Sequence, residues 1–385
     1  MRLTIITSCL AFLALSTAHD ASALPAPVSG LFSFPGSNPS PGSAVSAGLA
    51  LADRWLGDEP FDNPAMARRR GVMVAPVLLR LSRQDLRAGN YAFDEQPAFI
   101  DAAGVRAALP VLGFEVAAYG HRFTLRQEDN AFARGELGGP VEPAVIESRS
   151  RTLEQRAGLA VARRAGILTL GAAAEWSWRD DEYEVTEQSG SPLAGTRRIG
   201  FSGDFPGGQA GLRLELPETP LGAIQLGAAA RYLPSARFEG EQETVPLFAA
   251  PDTLDVDLER ESGWEGGVSL VDRVTPALRV LVGAGGRTAR AWRGSGFDVT
   301  SGRAWSSSVA LEFHDTRDPW TARFGFGREG EEASATPQAT VIGLGMGWQW
   351  GKLRADLGVV RRSLEAGDAP TSVDDRVVLS FAQEF

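Results

Sequence analysis

Leu168-Thr169-Leu170-Gly171-Ala172-Ala173-Ala174-Glu175-Trp176-Ser177-Trp178-Arg179 carries an apolar residue at every even position and a mostly small or polar one between. The repeat is two residues, the period of a β-strand, and helical spacing does not fit it. The same period runs through Ile224 to Tyr232 and Trp320 to Phe326. It returns in Ile342 to Trp350, where Gly343, Gly345 and Gly347 are interleaved. From Gly71 to the last residue this pattern dominates.

Alternation alone is shared by soluble sandwiches. Three further features separate the cases. The apolar sets end in Trp or Tyr (Trp176, Trp178, Tyr232, Trp292, Trp348, Trp350), as at the aromatic girdles of a membrane barrel. The opposite face is Gly, Ala and Ser with scattered charge, as in a lumen. The connections also alternate in length. Short ones lie near 110–113, 163–166, 217–221, 272–276, 314–319 and 351; longer polar ones lie at 85–96, 127–143, 188–196, 239–253, 294–302, 330–337 and 364–372. The expected fold is all-β, a transmembrane antiparallel β-barrel of about 14 strands with tight turns at one end and long loops at the other.

Composition removes the other classes. The chain has 385 residues, a net charge of −10 and one Cys, and no apolar run nears the ~20 residues of a membrane helix. One cysteine cannot make a disulfide framework. Net acidity disfavours nucleic acid as a partner. Met1-Arg2 and the apolar run Leu3 to Leu15, followed by Ala21-Ser22-Ala23, read as a signal peptide over 1–23. Cys9 leaves with it. Localisation in a bacterial outer membrane follows, with membrane lipids as neighbours and a monomer as the expected state.

Residues 24–70 do not alternate. Leu49, Ala52, Trp55 and Leu56 are spaced for a short helix within 44–56. A barrel of this width leaves an aqueous lumen unless something fills it. The segment 24–70 is therefore read as an N-terminal hatch, or plug, and 71–385 as the barrel. The final strand, Val373 to Phe385, alternates and ends on Phe385, which resembles the signal read by the barrel assembly machinery; Gln383 departs from it.

Asn63-Pro64-Ala65 just before the first strand resembles the hatch of the FadL/TodX-type outer-membrane transporters. The stretches 203–217 with 226–232, and 343–348 with 353–360, are similar to that family's middle and final hairpins. The resemblance implies uptake of hydrophobic small molecules, such as long-chain fatty acids. Ligand would be captured between outer loops and released by hatch movement through a gap at a kinked third strand. Gly120 is the candidate kink, with a packing glycine as the plainer reading. Val245, Leu247 and Phe248 form an apolar run in an outer loop, either a capture groove or a lid. The outer loops are shorter than the family's, notably 188–196.

Lumen-facing charges are Arg213, Glu215, Arg231, Arg323, Lys352, Arg354, Asp356, Asp374 and Arg376. Structural pairing is their first reading; Arg231 and Arg323 are the candidates for contacting a ligand carboxylate. No catalytic residues are assigned: His121 stands alone and His314 falls in a short turn. No metal or cofactor is expected, and the acidic runs 180–182 and 329–332 read as solvated loop ends. The alternative functions for such a barrel are a structural or secretion-associated subunit and, further off, a general porin.

Overall fold

The computed structural model describes residues 49–50, 52–56, 61–68, 71–88, 91–95, 98–134, 144–188, 195–217, 223–246, 250–295, 297–314, 319–331, 338–365 and 372–384. The expected signal peptide at 1–23, all of 24–48, and Leu247, Phe248 and Phe385 lie outside the described residues.

Nineteen strand segments form one sheet. They are β1 (Gly71–Ala88), β2 (Tyr91–Glu95), β3 (Ala98–Val111), β4 (Phe114–Arg134), β5 (Ala144–Ala165), β6 (Leu168–Gln188), β7 (Gly195–Glu215), β8 (Ala223–Leu233), β9 (Ala236–Pro246) and β10 (Asp252–Arg260). The remainder are β11 (Gly263–Thr275), β12 (Leu278–Arg287), β13 (Arg290–Gly294), β14 (Phe297–Ser301), β15 (Ala304–His314), β16 (Trp320–Glu331), β17 (Gln338–Trp350), β18 (Leu353–Glu365) and β19 (Ser372–Glu384). Consecutive segments share partners in five places. β1 pairs with both β2 and β3, and β7 with both β8 and β9; β10 and β11 continue one another along β9 and β8. β12 with β13, and β14 with β15, do the same. Merging these pairs leaves fourteen antiparallel strands among the described residues. The pairing of β1 with β19, from Met73↔Glu384 to Leu86↔Ser372, closes the circuit. Closure removes the free sheet edges that would otherwise invite aggregation.

The two ends differ as the connection lengths foretell. At one end the turns are tight. Leu112 and Gly113 both have positive φ (50° and 81°), the signature of a two-residue type I′ hairpin, and Gly166 and Gly351 take φ of 62° and 59° as the first central residue of two-residue turns, the type II′ pattern. At the other end the strands run on. β4 to β7 are 21 or 22 residues long, roughly 70 Å of strand where about ten residues cross a bilayer. Of the expected outer loops, 127–134, 239–246 and 252–253 are thus paired strand. The sequence hid this because both faces of those extensions are wetted, so apolar alternation fades while backbone pairing persists.

The outward face is apolar. Leu170, Trp176 and Trp178 of β6, Leu344, Met346 and Trp348 of β17, and Leu357 and Val359 of β18 are exposed, while Thr169, Glu175 and Ser177 of β6 point inward and are buried. Trp176, Trp178, Tyr232 and Trp264 form one aromatic level, with Tyr232 and Trp264 5.0 Å apart across paired strands. Trp348 and Trp350, stacked at 5.5 Å, mark the other level beside the Gly351 turn. An apolar band between aromatic girdles, outside a polar interior, is the surface that a transmembrane barrel turns to lipid. Trp292 does not belong to it: it is buried on the inner side of β13.

Candidate functional site

Residues 49–50, 52–56 and 61–68 lie on the inner face. The described part of 44–56 forms turns rather than a helix, and Pro64–Arg68 is a short 3-10 helix. Strand glycines explain how backbone can reach backbone here. A Cβ at Gly171 would strike the main chain of Pro64 and Ala65; at Gly211, the Asn63 amide; at Gly227, the Trp55 carbonyl; at Gly325, Leu49 and Ala50. These glycines come from β6, β7, β8 and β16, so the segment is cradled from both sides of the lumen. Close backbone approach is the use of glycine that any side chain forbids.

Asn63, wholly buried, ties the seat together. Its Nδ2 donates to Trp55 O (2.8 Å) and to Leu212 O of β7 (3.1 Å), and its Oδ1 accepts from Ala65 N (3.0 Å). Pro64 opens the 3-10 helix, where its missing N–H costs nothing. Ala65 is buried against Gly171, where a larger side chain has no room. Gln209 Nε2 donates to Asp62 O at 2.6 Å, Trp55 N to Ser269 Oγ at 3.1 Å, and Arg54 pairs with Glu265 at 2.9 Å. Phe61 packs among Ala108, Ala117, Tyr119 and Ala160; Leu49 and Ala52 pack on Leu281 and Ala310. Burying Leu49, Trp55 and Phe61 contributes roughly 1.5–3 kcal/mol each before chain entropy is charged.

Around and below this seat the charges are paired within the protein. Arg323 reaches Glu312 and Asp356, each at 2.9 Å. Arg279 joins Glu312 (2.9 Å) and Arg354 joins Asp356 (2.6 Å). Arg231 is buried against Glu175 at 2.7 Å, and Tyr119 donates to the other oxygen of Glu175 at 2.6 Å. Arg156 pairs with Glu154 at 2.6 Å and lies over the Phe61 ring, 4.3 Å from its centroid. Both candidate carboxylate contacts, Arg231 and Arg323, are thus already held by protein carboxylates. Arg213 and Glu215 pair at 2.8 Å. Lys352 is exposed in a turn, and the side chains of Asp374 and Arg376 lie outside the described residues.

Two acidic runs behave differently from solvated loop ends. Asp181 is buried, accepts from Thr152 at 2.6 Å and takes a two-pronged contact from Arg179 at 2.7 and 2.9 Å. Glu329 is buried against Arg362. Strand alternation turns both inward while Asp180 and Glu182 stay outside. His121 is buried with its ring 4.8 Å from Phe61, and His314 Nδ1 lies 3.3 Å from Thr321 Oγ1 at the end of β15.

Above the seat stands a group of aromatic rings. Tyr183, Ile199, Phe201, Phe205, Phe238, Val256, Leu258 and Trp292 form one buried cluster. Phe238 and Trp292 stand 4.9 Å apart, and Phe201 is 6.1 Å from each of them. Arg260 enters from β10, its guanidinium 4.0 Å from the Phe205 ring centroid. Burial, and then the neighbouring Arg179 and Arg290, hold its pKa down to about 9, still cationic at neutral pH. Val245 ends β9 half-buried, opposite Thr196. Gly120 sits in an unbroken ladder between Val105 and Ala157; the irregularity of β4 falls at Leu125, between Thr124 and Arg126. A recess of about 260 Å³ opens on the outer wall beyond Trp178, but Arg151, Asp180, Glu182 and Glu239 make it too charged for an apolar guest.

The whole barrel has close relatives in shape. It is similar to a Pseudomonas aeruginosa FadL homologue (TM-score 0.66, 12% identity, covering 89% of this chain and 98% of that one). The toluene transporters TodX of Pseudomonas putida (0.63, 13%, 89% and 98%) and TbuX of Ralstonia pickettii (0.63, 15%, 92% and 100%) align equally well. The fold is that of the FadL/TodX transporters. No protein-family model and no curated protein matches the sequence. At 12–15% identity the likeness is one of fold.

Proposed function

We propose that the protein is a bacterial outer-membrane transporter that takes up hydrophobic small molecules, with the N-terminal segment as its hatch. The seating of 49–68 across the lumen carries this reading. A porin needs a water-filled path, whereas here Asn63, Trp55 and Phe61 are buried on the inner face, Asn63 and Trp55 against strand glycines. The aromatic cluster above supplies an apolar surface at the outer end, where a hydrophobic guest would enter. Neighbours with the same fold are named as transporters of toluene, which supports a hydrophobic cargo without fixing it as a fatty acid. The apolar run Val245, Leu247 and Phe248 at the β9–β10 hairpin would make first contact, and the chain would act as a monomer inserted through its terminal Phe385 by the assembly machinery. No step of this is enzymatic.

Uptake of radiolabelled toluene and oleate by intact Gram-negative cells, with and without the expressed protein, tests the reading. Faster entry of at least one of them than in empty cells is expected. Unchanged entry, together with swelling of protein-loaded liposomes in small sugars, would instead identify a porin.

A further inference from the structure

Arg260 is the exception among the lumen's buried arginines. Its side chain is 2% exposed, yet among the described residues no carboxylate lies within ion-pair distance. Its Nη2 makes one long contact, 3.4 Å to Pro234 O, and its Nε finds no acceptor. The nearby Arg179 is satisfied by Asp181 in a two-pronged pair, so that carboxylate is spoken for. Phe205, Phe238 and Trp292 lie around the guanidinium at 4.0, 5.6 and 6.0 Å from their centroids. Rings can stabilise a buried cation over its faces, but they give nothing to the N–H groups in its plane. Leaving a buried guanidinium donor unmet costs free energy that an incoming acceptor recovers.

We propose that the mouth is a binding site for an aromatic carboxylate. The carboxylate takes the buried, unmet Nε edge of Arg260, where a planar anion fits a planar fork. The aryl ring joins Phe205, Phe238 and Trp292, whose tilted, edge-on spacings of 4.9–6.1 Å are those another ring adopts. A neutral hydrocarbon satisfies the rings and leaves Nε unmet. An alkyl carboxylate satisfies Nε and forgoes the ring contacts. The proposal deepens the uptake reading by naming a cargo class, and rests on it only for the direction of travel.

Equilibrium dialysis of the full-length protein in detergent, with 2-naphthoate, 2-naphthylmethanol and decanoate as probes, tests it. The wild-type protein is expected to bind 2-naphthoate about tenfold or more tightly than either other probe. Equal affinities for naphthoate and naphthylmethanol would overturn the anion site, and decanoate matching naphthoate would overturn its aromatic preference. Arg260→Gln should erase the preference for naphthoate over naphthylmethanol, and Arg260→Lys should keep part of it. A preference undiminished in a folded Arg260→Gln protein also overturns the proposal. If toluene or oleate still enters cells faster than in controls while these preferences are absent, the site fails and the transport reading stands.

Discussion

Arg323 and Arg260 are both arginines buried inside the same barrel, and they are built in opposite ways. Arg323 lies between Glu312 and Asp356, with Arg279 and Arg354 completing an alternating set of charges. Arg260 lies among rings with no carboxylate within ion-pair distance among the described residues. The first arrangement is closed: every charge is answered, and the strands β12, β15, β16 and β18 are stitched across the narrow end. The second is open, with a cation held by apolar faces and a donor left over. Burial alone does not mark a ligand contact; a buried cation with no carboxylate partner among the described residues does.

Substitution separates the two most strongly at Arg323. Arg323→Met leaves Glu312 and Asp356 buried without their shared partner, and should lower unfolding stability in lipid vesicles by about 3 kcal/mol. A loss near zero would mean that Arg279 and Arg354 suffice. Next comes Asn63→Ala, which removes three hydrogen bonds at the seat and leaves Leu212 O and Ala65 N unmet. A cost of about 1–3 kcal/mol is expected in the release of the segment, read as more frequent channel openings in a planar bilayer. Arg260→Met should be within about 1 kcal/mol of wild type or more stable, since no counter-charge is stranded. A large loss there would show that Arg260 has a structural partner after all. The smallest effect is expected outside the lumen. Arg361 and Asp375 form an exposed two-pronged pair at 2.7 Å, and Arg361→Ala should leave stability unchanged in denaturant titration.

Much of this barrel is legible in its sequence, because a strand wetted on one face and lipid-coated on the other must alternate. Leu168 to Trp178 declares it, and the tight turns at Gly113, Gly166 and Gly351 set the strand count. The outer hairpins are less legible, since residues such as Glu239, Glu241 and Glu243 of β9 stand where no lipid imposes a pattern. The spacing within 44–56 reads as a helix, yet 52–56 form turns, because Asn63, Ser269 and the lumen glycines decide that conformation. Arg260 was hidden in plain order. Glu259-Arg260-Glu261 looks like a solvated charge cluster, but strand geometry turns both glutamates outward and the arginine inward. The signal was the alternation Val256, Leu258, Arg260 against Asp255, Asp257, Glu259, two faces with different chemistry.

The seating of 49–68 in the lumen is the claim on which the rest depends, and conductance addresses it most directly. Wild-type protein and Gly211→Leu, each verified as folded by its heat-dependent electrophoretic mobility, should be compared in planar bilayers. The leucine side chain collides with Asn63 and Pro64 and should unseat the segment. A closed wild-type protein and a steadily conducting Gly211→Leu variant are predicted; equal, ohmic conductance in both would contradict a hatch held at that seat.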